Sequence, residues 1–222
     1  PRGTAAGDCL HNILERLDFT EEIDSPKIVM AIQEELRRAN FDLSLLHSVQ
    51  KTLKRVVTTP LGRLLGNMSL NEVHEQRCIH ELSFDLPIAQ KGRALRSSDV
   101  AKAFHLNPKA RFGQSYIKHL NQLNFIGKGY LTGSIDLIFT DKEDLSKARW
   151  WVIDWKSNWI GRQNKSTQVI ECGPIHYQQE ALEEQMIVHH YPLQAHLYLV
   201  ALHRFLKWRL PNYNPQNHLG GY

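Results

Sequence analysis

Two runs of strand-forming residues joined by a short polar turn constrain this chain more than any other feature. Residues 129–140 read GYLTGSIDLIFT and residues 150–155 read WWVIDW. Both are dense in β-branched and aromatic residues, and DKEDLSK (141–147) between them is polar. That pattern predicts an antiparallel hairpin. Each run carries one carboxylate in an otherwise apolar setting, Asp136 in the first and Asp154 in the second. A carboxylate within a strand is costly unless it is paired, hydrogen-bonded or bound to metal. Side chains alternate along a strand, so Asp154 and Lys156 share a face, while Ile153 and Trp155 point the other way, toward a core. In a suitable register Asp136 joins the face of Asp154.

Two close carboxylates suit a hard, oxygen-seeking cation such as Mg²⁺ or Mn²⁺. An adjacent ammonium can hold a water or offset charge growing on a phosphate, which points to metal-assisted hydrolysis of a phosphodiester. A salt bridge among Asp136, Asp154 and Lys156 at a strand edge satisfies the same spacing, because a lone D-x-K is common.

The rest of the chain reads as mixed α/β. Leu10, Ile13, Leu14 and Leu17 recur at helical spacing and predict a helix over 4–18. Ser25-Pro26 opens a second, to Arg38, with Ile28, Val29, Ile32 and Leu36 on one side. A third is predicted over 43–57, ended by Thr58-Thr59-Pro60. The texture changes near residue 72, and Ile79–Phe84 alternates as a strand ending at Pro87. The stretch 88–120 is the most basic, with Arg93, Arg96, Lys102, Lys109, Arg111 and Lys118. It reads either as solvated loop and helix or as a phosphate-tracking surface. Helices are expected over 176–189 and 192–210, with a polar linker (161–173) before them and a loop-like tail (212–222) after.

Composition closes off several classes. With 222 residues, 42% hydrophobic and 23% charged, the chain can bury a core without disulfides. No apolar run reaches the length of a membrane span, and PRGTAAGDCLHN lacks the apolar stretch of a secretory leader. Cys9, Cys78 and Cys172 lie far apart without C-x-x-C spacing, which suggests a reducing compartment. The net charge of +4 (27 basic against 23 acidic residues) permits a nucleic-acid partner without demonstrating one. Twelve histidines raise the question of zinc, but His74, Cys78, His80, His189 and His190 do not fall into repeated ligand pairs. No GxxxxGK[ST] loop is present, so the chain is not an ATP-driven motor.

Asp136, followed by Asp154-Trp155-Lys156, resembles the PD-(D/E)xK nuclease pattern. More closely, GSIDLIF and VIDWKSNWIG resemble the nuclease domain at the C-terminus of RecB, the beta subunit of exonuclease V. Trp155 stands where that family usually has tyrosine, which keeps an aromatic side chain. The resemblance runs on through Pro1–Gly7 with Leu10-His11, through Glu81–Ile88, through Gln194 and Tyr198, and through His218–Gly221. It implies a single restriction-endonuclease-like α/β domain over 1–222, excised from a larger subunit. A helical part (1–70) would precede the nuclease core (72–222), whose mixed sheet is flanked by helices.

It also implies roles. His11 would be a metal ligand beside Asp136 and Asp154, Lys156 would be catalytic, and Glu81, Gln194 and Tyr198 would support the site. Mg²⁺ is the implied cofactor, with Mn²⁺ or Ca²⁺ able to occupy the site. The implied partners are single-stranded DNA and the gamma and alpha subunits of exonuclease V (RecC, RecD), in the bacterial cytoplasm at the nucleoid, in double-strand-break repair. Two other readings use the same core residues. A non-catalytic DNA clamp would have lost the ligand set, which this chain retains. A free-standing restriction endonuclease would not share the matches at both ends.

Overall fold

The computed structural model describes residues 3–88, 92–106, 112–163, 166–167 and 169–222. Pro1 and Arg2 of the first motif, and Lys109 and Arg111 of the basic stretch, lie outside them. In chain order the elements are α1 (Thr4–Glu15), α2 (Pro26–Arg38), α3 (Leu46–Thr58), β1 (Cys78–Pro87), β2 (Leu95–Arg96), α4 (Ser97–His105), α5 (Gly113–Gln122), β3 (Ile126–Gly127), β4 (Tyr130–Thr140), β5 (Trp150–Ile153), β6 (Arg162–Gln163), β7 (Ile170–Glu171), α6 (Gln179–Val188), α7 (Tyr191–Arg209), α8 (Pro215–His218) and β8 (Leu219–Gly221). The fold is mixed α/β, with a four-stranded sheet in the order β1-β4-β5-β8. β4 and β5 are antiparallel, whereas β5 and β8 are parallel, so the sheet is mixed, as in nuclease-like folds.

The chain divides into two compact units, and the division falls within β1, β4 and α7. The first comprises residues 1–82, 135–159 and 202–222. Its helices start where the sequence supplies caps. Ser25 accepts a hydrogen bond from the Ile28 N–H, Pro26 occupies the first turn, and Arg37 and Arg38 sit in the last. Such a cap is worth about 1 kcal/mol, and the terminal cations suit the helix dipole. Ile28, Ile32 and Leu36 of α2 are fully buried, and so is Ile13 of α1. They share one core with Leu53 and Val57 of α3, Leu137 and Phe139 of β4, and Trp151 of β5.

Glu35 is the buried charge of this unit. Its Oε1 accepts from Arg16 at 2.8 Å and from Arg38 at 3.2 Å, and its Oε2 accepts from Asn12 at 3.3 Å. Those bonds satisfy the carboxylate and tie α1 to α2 through their polar edges.

The second unit comprises residues 83–134 and 160–201. Ala101, Tyr116 and Leu120 form its apolar centre, joined by Phe104, Phe112, Ile187 and Leu193. The Tyr116 hydroxyl and His190 Nδ1 share a hydrogen bond of 3.2 Å. Phe84 packs edge-on against Tyr198 with ring centres 5.9 Å apart.

Several sequence expectations need correction. The first helix stops at Glu15, and the helix expected over 176–189 is a 3₁₀ turn (Pro174–Tyr177) followed by α6. The linker 161–173 contains the β6–β7 pair. The strand expected to reach Trp155 ends at Ile153. The tail is not a loop. It forms α8, capped by the Asn214 side chain, and then β8, whose glycines lie against Trp151. A Cβ added to Gly220 would stand 2.5 Å from the indole, so only glycine permits that approach.

Candidate active site

The register of the β4–β5 hairpin sets the site. Leu137 pairs with Ile153 and Phe139 with Trp151, and these four side chains face the first unit's core, with Trp155 beyond them. One step further in the same register sets Asp136 opposite Asp154, on the other face. β5 has ended by then, which frees the Trp155 backbone. Its N–H donates to Asp136 Oδ2 at 2.7 Å. Its carbonyl accepts from His11 Nε2 at 2.9 Å. A carbonyl can only accept, so Nε2 carries a proton, and the tautomer of a neutral ring here has its lone pair on Nδ1. That nitrogen lies 3.6 Å from Asp136 Oδ2.

α1 carries His11 on its polar face. Thr4, Gly7, Asp8, His11, Asn12 and Glu15 follow helical spacing and, with Glu81, Asp136 and Ser157, line a cleft of about 640 Å³. Gly7 allows the helix to approach: a Cβ there would stand 2.7 Å from Ser157 Oγ. Glu81 reaches the cleft by a local distortion. Within β1 it adopts a left-handed conformation, with φ of 50°. Such a backbone is uncommon for a residue with a long side chain, and in a strand it re-aims that side chain.

Burial raises the Asp136 pKa above its ordinary value, and the charges of Asp154 and Glu81 act in the same direction. The Trp155 N–H and His11 act in the opposite direction. Asp136 thus sits among like charges with incomplete compensation. Lys156 forms an ion pair with Asp154. Among the described residues, no three His, Cys, Asp or Glu side chains converge so as to hold a metal ion by themselves. The donor types still suit a small hard cation, since the His11 imidazole lies beside the under-compensated Asp136 carboxylate and Glu81 lines the same cleft.

Of the residues singled out from the sequence, the structure brings His11, Glu81 and Asp136 to one cleft and pairs Asp154 with Lys156. Gln194 and Tyr198 belong to the second unit, where the Gln194 amide donates to the Tyr198 hydroxyl at 2.7 Å. The cleft also contains Asp8, Asn12 and Ser157, which sequence reasoning did not select. Their signal was available for α1: positions 4, 8, 11 and 15 share the helix face of His11.

A mixed four-stranded sheet whose central hairpin opposes two aspartates, one of them paired to a lysine two residues on, defines a nuclease-like α/β fold. Comparison with known proteins makes this more particular. The chain is similar over its whole length to the RecB subunit of the RecBCD enzyme. It is 30% identical to RecB of Buchnera aphidicola subsp. Baizongia pistaciae over 221 residues, and 29% identical to RecB of Escherichia coli K12 over the same length. It is 29% identical to RecB of Mycolicibacterium smegmatis over 231 residues. Each match covers all of this chain but only 16% to 20% of those proteins, in their C-terminal region. The chain is thus RecB-like throughout and corresponds to that region. No family model matches it.

Proposed function

We propose that this chain is a metal-dependent deoxyribonuclease, the nuclease part of a RecB-like helicase–nuclease subunit, acting mainly on single strands in recombinational repair of double-strand breaks. The observation that carries this reading is the charge of the cleft. Among the described residues, Asp8, Glu15, Glu81 and Asp136 line it, with one imidazole and no lysine or arginine. A phosphodiester would be repelled there unless a cation offset the carboxylates. Whole-length similarity to RecB supports the same conclusion.

His11, Asp136 and Asp154 would hold Mg²⁺, and Mn²⁺ or Ca²⁺ would suit the same donors. When bound, the ion supplies Lewis-acid polarisation of the phosphate and lowers the pKa of a water. The protein's own groups do the rest. The Trp155 carbonyl holds the His11 tautomer, so the lone pair stays on the Asp136 side. Lys156, beside Asp154, orients the attacking water or offsets charge on the phosphate. Glu81 accepts a hydrogen bond from water in the cleft. Gln194 and Tyr198, carried over by family resemblance, supply an amide and a phenol as further donors. By the same resemblance the whole subunit would work with RecC and RecD in the bacterial cytoplasm. Among the described residues, no helix is long and apolar enough to cross a membrane.

The test is cleavage of single-stranded DNA with Mg²⁺ or Mn²⁺, beside an EDTA control and the variants Asp136→Ala, Asp154→Ala and Lys156→Ala. Each variant should lose about two orders of magnitude or more in rate, the scale on which removing one electrostatic group from an active site acts. Undiminished cleavage by pure Asp154→Ala protein would reject the site.

A further inference from the structure

The C-terminal turn of α7 carries a second group of exposed residues that the acidic cleft does not use. Trp208 is 77% exposed, the most exposed aromatic side chain among the described residues. The Arg209 guanidinium lies 4.9 Å from its ring centre. Arg204 and Lys207 are also exposed; Arg204 lies four residues before Trp208 on the same helix face, and Lys207 lies three after Arg204. Among the described residues, no carboxylate lies within ion-pair distance of Arg204, Lys207 or Arg209. Residues 185–222 contain no Asp or Glu at all. Cations in a last turn suit the helix dipole, but that does not account for a solvent-facing indole among them.

We infer that this turn is a docking point for single-stranded DNA, with a base stacked on Trp208 and the flanking phosphates on Arg204, Lys207 and Arg209. The physical fit is to a polymer with alternating flat apolar surfaces and negative charges, which is how single strands are held without regard to sequence. An acidic peptide offers the charge but no stacking face. The inference rests on the nuclease reading only for the choice of DNA. It supplies what the cleft lacks, a cationic surface that attracts the strand before any metal is bound.

The test is binding of a fluorescein-labelled oligothymidylate by the 222-residue chain in EDTA, where cleavage is suppressed, read by anisotropy and by quenching of tryptophan fluorescence. Trp208→Ala should weaken binding about tenfold, as for loss of one stacked base. Trp208→Tyr should retain most of the affinity, and Trp208→Phe should lose the quenching while still binding. Changing Arg204, Lys207 and Arg209 together to Ala should reduce the slope of log affinity against log salt by about 2, at ~0.7 per phosphate contact. Native-like binding by Trp208→Ala overturns the inference. So does equal, Trp208-dependent binding of polyglutamate, or no binding by the native chain. A chain that binds through Trp208 but never cleaves with metal would keep this surface and reject the nuclease. A chain that cleaves with Trp208 irrelevant to binding would do the reverse.

Discussion

Changing Glu81 to glycine and, separately, to alanine would separate a cost to folding from a contribution to the site. Glu81 is exposed, so neither change loses buried contacts. Its φ of 50° places a Cβ in the left-handed region, which costs roughly 1–2 kcal/mol. Alanine keeps that cost and glycine removes it. Glycine also gives the unfolded chain more freedom, which takes back roughly 0.4–1 kcal/mol. Taking the middle of each range, the glycine variant should be more stable than the alanine variant by about 0.8 kcal/mol. In a protein of this size that is about 2–3 °C in melting temperature. Urea denaturation of the two proteins side by side measures the difference. Both lack the carboxylate, so cleavage should fall alike in both. An alanine variant as stable as the glycine variant would mean that the left-handed conformation is not held in solution, and the account of how Glu81 reaches the cleft would fail.

Three other outcomes are expected. Gly7→Ala should lower cleavage, because its Cβ would stand 2.7 Å from Ser157 Oγ, and adding Ser157→Ala should restore it. Stability should fall as pH drops from about 7.5 to about 5.5. Burial lowers the pKa values of His80, His190 and His196, with His119 and His189 adding to the effect at His190, so the unfolded chain binds more protons in the ordinary histidine range. A denaturation midpoint that rises on acidification would contradict this. Cys172 is exposed and should react fast with a thiol reagent at neutral pH. Cys9 is buried and should react only on unfolding, and burial pushes the half-buried Cys78 thiol up to about 11, so it should react far more slowly than Cys172.

Much of the fold was legible because local signals and tertiary packing agree. Ser25-Pro26 both starts α2 and orients its buried stripe. The alternation around Leu137, Phe139, Trp151 and Ile153 is the hairpin's core face. The tail was misread because Leu219-Gly220-Gly221 has no strand propensity. It becomes a strand by lying beside Trp150 and Trp151, a contact across some seventy residues of sequence. In the site, Asp136, Asp154 and Lys156 announced themselves by placing charge in or beside apolar strands. His11 on a helix surface carried no such signal and entered by family resemblance. The left-handed backbone at Glu81 was hidden, because nothing in that residue type favours it.

The peptide groups at Trp155 bond Asp136 through nitrogen and His11 through oxygen, and neither bond uses the indole. Substitutions there can alter how the aromatic packs while those bonds persist, and proline alone would delete the donor. The alignment of the two side chains is in that sense written in the main chain. Evolution can redecorate position 155, tyrosine for tryptophan included, without rewriting the instruction that orients its neighbours.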